Sequence, residues 1–273
     1  MALLRLGSAS SDVTALQQRL QQLGLYSGHL DGQFGPGTEA AVTAFQQSKG
    51  LASDGIVGPS TAAALGLPSA VPSPQVVSDV TAEIVSQMFP VTPRANIEAN
   101  LPFVLRALIA PALTDKPMIL MSLATIRAET ESFQPISEFP SQYNTSPGGH
   151  PFDLYDNRAN LGNQGPPDGF QYRGRGFIQL TGRANYQVCG NAIGLGDQLV
   201  QEPELANDPD IAARLLASFL ERRETQIRQA LAAGDLASAR RLVNGGTFGV
   251  DKFTDAYQRG LTLVPDNPRL QSA

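Results

Sequence analysis

The stretch YRGRGFIQLTGRAN, residues 172–185, sets two glycines between arginines and then mixes apolar with hydrogen-bonding side chains through Phe177, Gln179 and Thr181. An extended backbone sends alternate side chains to one face, so this spacing predicts Gln179 and Thr181 pointing together into a cleft. Gly174 and Gly176 allow another chain or a ligand to approach the backbone closely. Such a wall suits a polymer of hydroxyls and amides, for example a sugar chain.

Upstream, Met118 to Ala128 is apolar nearly all round, which predicts a buried central helix with Glu129 at its C-terminal end. There the helix dipole disfavours negative charge and the apolar neighbours desolvate the carboxyl. Both effects raise its pKa, as a general acid requires. The competing reading is a surface glutamate at a frayed helix end, paired with Arg127. A second carboxylate has three candidates, Glu131, Glu138 and Asp156. Glu131 would face away on a continuing helix. The other two lie in the Gly-, Pro-, Asn- and Asp-rich segment 132–176, whose lack of periodicity predicts functional loops. Either could stand across a cleft at the roughly 6.5–9.5 Å that admits an attacking water, although Asp156 also suits a turn cap or an ion pair with Arg158.

Around this segment the pattern is helical. Ile97, Leu101, Val104, Leu105 and Leu108 recur at helical spacing, Ile211, Leu215, Phe219 and Leu220 share a face beyond Asp208, and Leu236–Val243 ends at Asn244-Gly-Gly. Asn244 reads first as a helix stop and becomes a ligand candidate only beside the other polar residues. Gln179, Thr181 and Asn185 offer amides and a hydroxyl to a sugar, or else stitch a loop to its own backbone. Phe152, Tyr155, Phe170 and Tyr172 could stack on sugar faces where exposed. Residues 80–273 are thus expected to form helices framing a loop-lined cleft.

The first 67 residues hold a repeat. Asp31-Gly-Gln-Phe-Gly-Pro-Gly-Thr38 recurs 23 residues later as Asp54-Gly-Ile-Val-Gly-Pro-Ser-Thr61. Each copy reads as a turn and a helix start, with Pro early in the helix and Thr as its cap. Val13, Leu16, Leu20 and Leu23 mark one face of a preceding helix. A three-helix domain over 1–67 follows, then a Pro- and Ser-rich spacer over 68–79.

The net charge of −5 leaves no basic surface for nucleic acid. A single cysteine, Cys189, rules out an internal disulfide framework, and with only His29 and His150 besides, a closed zinc site is not expected. Neither cysteine nor histidine sits in an activating context. No metal or other cofactor is expected. The N-terminus lacks the basic start and the apolar run of about 7–15 residues of a secretory signal, and no apolar stretch reaches transmembrane length. The expectation is synthesis in the cytoplasm without a signal, and no membrane insertion.

With these residues assembled, two resemblances appear. Residues 3–67, through the doubled D-G-x-x-G-P-x-T, resemble the peptidoglycan-binding domain common at the ends of cell-wall lytic enzymes. Residues 80 to about 265 resemble the family-19 glycoside hydrolases, meaning chitinases and endolysin-type lysozymes. The matching pieces are Ala128–Phe133, Leu161-Gly162-Asn163, Asp168-Gly169, Tyr172–Tyr186 and Asn244-Gly-Gly. The resemblance implies a mainly α, lysozyme-like fold, an inverting mechanism and no metal. It points to Glu129 as general acid and to Glu138, nine residues on, as the second carboxylate. Asp156 stands where related sequences often carry a glutamate before Gly-Arg. Gln179, Thr181 and Asn185 match positions that bind sugar and place water, Thr181 on the catalytic side, and Tyr172, Asn244 and Asp156 are expected beside the substrate. Plant members carry disulfides that this chain cannot form, which sets it nearer the bacterial and phage branch. The implied activity is cleavage of β-1,4 bonds between amino sugars of peptidoglycan. Chitin hydrolysis, or wall binding by an inactive relative, are the alternatives.

Overall fold

A computed structural model describes residues 4–51, 53–67, 76–246 and 248–272. The chain divides into two compact units, residues 1–73 and 74–273. The expected spacer lies outside the described residues over 68–75.

In the smaller unit, α1 (Ser11–Gln22), α2 (Pro36–Ser48) and α3 (Pro59–Leu65) enclose a core of Leu16, Leu20, Phe34, Val42, Phe45 and Leu65. Ser10 caps α1 through its hydroxyl, Asp12 lies in the first turn and Arg19 in the last, all favourable to the dipole. Leu23, expected on the apolar face, stands at the helix end and is exposed.

The repeated motif does more than turn and cap. The side chain of Gln17 is buried in the first turn. Its Nε2 donates to Asp31 Oδ1 (2.8 Å), Gln33 O (2.9 Å) and Thr38 Oγ1 (3.2 Å), and its Oε1 accepts from Gly32 N (3.0 Å). Gln46 repeats the pattern with Asp54 Oδ1 (2.8 Å), Ile56 O (2.9 Å), Thr61 Oγ1 (3.1 Å) and Gly55 N (2.9 Å). The two threonines are therefore acceptors for a buried amide and not helix caps. Gly32 and Gly55 take φ of +71° and +72°, which turns their N–H groups onto the glutamine. Replacing Gln46 by Leu keeps the bulk and strands several of these groups. At about 1–3 kcal/mol for each buried group left unmatched, partly relieved by relaxation, the smaller unit should lose about 2 kcal/mol. A calorimetric unfolding transition of that unit left in place would refute this.

The larger unit opens with β1 (Val76–Ser78), paired antiparallel with the C-terminal β4 (Leu270–Ser272). Val76–Ser78 thus belongs to this unit and not to the spacer. Then come α4 (Ala82–Met88), α5 (Arg94–Ile109) and α6 (Lys116–Glu129). Every residue of α6 from Met118 to Ala128 is buried. Its leucines, isoleucines and methionines are each worth about 1.5–3 kcal/mol of burial, making α6 the axis of the unit. α14 (Val250–Leu263) packs along it, and a Cβ at Gly260 would collide with Leu120. α11 (Pro209–Glu221) packs on α5, with the Arg106–Asp210 ion pair between them, and Asp208 caps α11 by accepting from Asp210 N and Ile211 N. α12 (Glu224–Ala232) and α13 (Leu236–Asn244) pack on each other, α13 ending at Gly245 with φ +71°.

Between α6 and α11 lie short pieces: β2 (Ile136–Ser137), α7 (Asp153–Asp156), α8 (Asp168–Gln171), β3 (Arg175–Gly176), α9 (Arg183–Ala192) and α10 (Gln198–Gln201). Single helical turns therefore appear from Asp153 and a ten-residue helix from Arg183, both ahead of the helix read from sequence beyond Asp208. β2 and β3 pair antiparallel, Ile136 opposite Gly176. Residues 177–181 are not extended. Arg175 and Leu180 exchange both backbone hydrogen bonds (3.2 and 2.8 Å), and the intervening loop uses left-handed φ at Gly176 (+75°) and Gln179 (+49°). The glycine-rich stretch is thus a tight hairpin, tipped by Phe177, which is buried against Phe133 (ring centroids 6.2 Å). Among the described residues no helix is long and apolar enough to cross a membrane.

Candidate active site

The hairpin is held from behind by buried arginine chemistry. Arg175, 1% exposed, donates to Gln171 O (2.8 Å) and Tyr186 Oη (2.9 Å) and pairs with Glu204. Arg183 grips Asp168 in bidentate fashion (2.8 and 2.5 Å), which holds the Asp168 carboxyl below the usual range. Asn163 accepts from Arg183 N (2.9 Å) at the start of α9 and donates to Tyr155 O (2.8 Å). The Leu161-Gly-Asn and Asp168-Gly pieces thus brace the hairpin against α9.

In front of the hairpin opens a cavity of about 400 Å³, lined by Glu129 at the end of α6, by Ile178, Gln179, Leu180 and Thr181 of the hairpin, by Leu161 and Asn185, and by Phe219, Arg223, Val243 and Asn244 from the α11–α13 side. Five expected site residues, Glu129, Gln179, Thr181, Asn185 and Asn244, therefore share one cavity.

Glu129 is 12% exposed, and its Oε1 lies 2.8 Å from Nη2 of Arg240, a guanidinium of 0% exposure on α13. Burial raises the Glu129 pKa; the charge and hydrogen bond of Arg240 oppose this, and burial wins. The helix dipole adds about 0.3–1 kcal/mol at most, under one pKa unit, so desolvation is the main cause. Arg127, the partner considered from sequence, turns away to Asp255 (2.6 Å) and Met88 O (2.6 Å). Glu131 lies past the helix end at φ +46° and pairs with Lys252 (2.6 Å).

The polar wall is biased toward acceptors. Gln179 Nε2 donates to Ile136 O (3.0 Å) and Gly176 O (3.2 Å). Thr181 Oγ1 donates to Gln179 O (2.9 Å), and Asn185 Nδ2 to Thr181 O (2.6 Å). With these hydrogens committed to the backbone, the side-chain oxygens and one N–H of Asn185 remain for a ligand. Asn244 is tied on both sides, donating to Phe248 O (3.1 Å) and accepting from Gly246 N (2.9 Å), so it shapes the rim.

Glu138 is half-buried and does not line this cavity, but it stands directly behind Gln179. A Cβ at Gly174 would lie 2.9 Å from Gln179 Oε1 and 3.1 Å from Glu138 Oε2, so only glycine admits both. Its carboxylate accepts from Gly174 N (3.1 Å), Asn144 Nδ2 (2.9 Å) and Tyr155 Oη (3.0 Å), three donors that fix its orientation. Burial and the neighbouring Glu138 charge push the Tyr155 hydroxyl up to about 12, so it remains a donor at neutral pH.

Two expected substrate residues lie elsewhere. Tyr172 is 1% exposed, packed edge-on against Tyr186 (5.5 Å) beneath Arg183 (4.6 Å). The hairpin turns its ring into the core. Asp156 is buried at the end of α7, accepting from Gly169 N (2.8 Å) and meeting His150 Nε2 (3.0 Å). It is a loop brace, and its partner is not Arg158. Of the aromatics, Phe152 is buried, whereas Phe170 is exposed. Arg240, Phe219, Arg223 and Asn144 went unassigned in the site from sequence, and Tyr155, read there as a sugar-stacking aromatic, donates to Glu138. Arg240 carried a signal, since it follows Ala239 and precedes Val243 by three on the buried face of α13. Among the described residues no group of three His, Cys, Asp or Glu side chains is placed to hold a metal ion.

Residues 9–65 match the family model described as putative peptidoglycan binding domain. Among curated proteins the chain is 54% identical over 50 residues to the N-acetylmuramoyl-L-alanine amidase CwlM of Mycobacterium tuberculosis, covering 18% of this chain and 12% of that protein. It is 27% identical over 114 residues to a glycosyl hydrolase family 19 domain-containing protein of Haemophilus influenzae, covering 42% of this chain and 52% of the relative. The chain thus spans about half, or less, of the length of these two relatives. Among solved structures, chitinase C from Streptomyces griseus superposes with a TM-score of 0.47 at 22% identity, over 70% of this chain and 79% of that one. Residues 9–65 therefore match the putative peptidoglycan binding domain family, and the chain is similar over 114 residues to a glycosyl hydrolase family 19 domain-containing protein.

Proposed function

We propose that this protein is a two-module cell-wall hydrolase, residues 1–67 holding peptidoglycan and the larger unit cutting its β-1,4 glycosidic bonds with inversion. The single observation that carries the reading is Glu129. It is a carboxyl at the end of a buried helix, its pKa raised by desolvation against the opposing pull of Arg240, and it opens into a cavity whose wall offers acceptor oxygens. In this mechanism Glu129 gives its proton to the leaving glycosidic oxygen. Glu138, held by three donors behind Gln179 and outside the cavity lining, takes the proton of the attacking water through one intervening water. Thr181 accepts from that water and Gln179 and Asn185 from the sugar. The amino-sugar polymer supplies the hydroxyl and N-acetyl N–H donors that such a wall requires.

Mass spectrometry of fragments released from purified sacculi tests the reading. New reducing ends of inverted anomeric configuration support it, and release of free peptides without glycan cleavage would refute it. Chitin hydrolysis is the competing substrate reading, favoured by nothing in the smaller unit. A chain cut to residues 76–273 keeps β1 and its pairing with β4. It should hydrolyse soluble oligosaccharides at the full rate, yet clear intact cells on the order of tenfold more slowly, because the second attachment point is lost. Equal clearance by both chains would show that residues 1–67 do not anchor the enzyme.

A further inference from the structure

Building on the glycan-cleaving reading, we propose that Arg223 recognises a carboxylate carried by the substituent of the sugar chain, the lactyl-peptide branch that peptidoglycan has and chitin lacks. Arg223 stands at the junction of α11 and α12 and lines the same cavity as Glu129 and Thr181. Its guanidinium carbon lies 4.2 Å from the ring centroid of Phe219, which lines the cavity too. A guanidinium seated over an aromatic ring at this distance keeps N–H groups for a planar, two-pronged acceptor.

Its neighbours are already occupied. Arg222 donates to Cys189 Sγ (3.2 Å), and Arg228 pairs with Asp115 (2.7 Å) and Glu224 (2.7 Å). Among the described residues Arg223 has no ion pair and no side-chain hydrogen bond. Glu129, the one carboxyl lining the cavity, is answered by Arg240, which leaves Arg223 as the cavity's uncompensated charge. The rest of the wall mainly accepts hydrogen bonds from hydroxyls and amides, whereas Arg223 is a charged group that can only donate. A neutral glycan would offer this guanidinium only uncharged hydroxyl and carbonyl oxygens, whereas a carboxylate on the branch would match its charge and its two-pronged edge. That asymmetry is how a site built for a polar partner rejects the ligand lacking it.

Full-length Arg223→Gln and Arg223→Lys should both fold, because the side chain is half-exposed and bonds to no other described residue. The measurement is kcat/KM on three soluble substrates: disaccharide-peptide oligomers from sacculi, the same glycan stripped of peptide so that the lactyl carboxylate is free, and an N-acetylglucosamine oligomer. Arg223→Gln should lower the ratio of anionic to neutral kcat/KM about tenfold, through KM, and Arg223→Lys should restore part of it. A loss confined to the peptide-bearing oligomer assigns the stem carboxylate; a loss on the stripped glycan assigns the lactyl group. An unchanged ratio overturns the proposal. Calorimetric binding of the same three oligomers reads the Arg223 contact without turnover. A chain that cleaves none of them defeats the hydrolase reading, while the carboxylate preference is still decided by binding.

Discussion

Glu129→Gln should lower glycan hydrolysis by about 10²–10⁴-fold while the chain stays folded and still binds walls. Glutamine keeps the shape of the side chain and offers Arg240 an oxygen, so the buried guanidinium retains an acceptor at the 2.8 Å contact. What it cannot do is deliver a proton. In the unsubstituted protein the alkaline limb of kcat against pH should report Glu129, because activity is lost as pH rises through its elevated pKa and the acid becomes a carboxylate. The same group sets a stability term of known sign. Its native pKa lies above the unfolded value, so the native state holds more protons between the two. Stability is greatest below the unfolded pKa and declines as pH rises through the native one. Glutamine removes that decline. Undiminished turnover by Glu129→Gln would end the assignment of Glu129 as the acid.

The helices were legible because each is set by a local pattern. The largely apolar run 118–128 reads as a buried helix, and Asn244-Gly-Gly ended α13 through the positive φ available to Gly245. The hairpin was not, because alternation in Phe177–Thr181 suggests extended backbone and the register is set at a distance. It depends on β2 pairing with β3, on Glu138 lodging against Gly174, and on Arg175 reaching Glu204. Gln179 and Thr181 still reach one cavity, by a turn at Gln179 instead of a pleat. Tyr172 and Asp156 looked like ligand residues because a polar group in a loop has the same local sequence whether it meets solvent or the loop's own backbone. Asp156 meets Gly169 N, thirteen residues away. In the smaller unit the repeat was plain but its purpose was hidden, since each motif closes on a glutamine from the preceding helix, Gln17 or Gln46.

Arg240→Met should be the most damaging change that leaves every expected site residue in place. The arginine is fully buried and holds two groups at once: Glu129, and through Phe248 O (3.3 and 3.2 Å) the loop after Asn244. Methionine fills similar volume but leaves Glu129 buried without a cation, and breaking such a pair costs about 3–5 kcal/mol when the charge stays. Glu129 has an escape that limits the cost, which is to keep its proton. Arg240 is the influence that lowers its pKa against the pull of burial, so removing it moves the pKa further up. The penalty should therefore be small below the unfolded pKa, where Glu129 is neutral in both states, and should grow as pH rises through the native value. Denaturant unfolding at pH 4 and at pH 8 measures this directly, the variant approaching the unsubstituted chain at the lower pH. The alkaline limb of its residual activity should move to higher pH. A uniform loss of stability at both pH values, with the limb unmoved, would mean that Arg240 only fastens the Phe248 loop and does not set the state of Glu129.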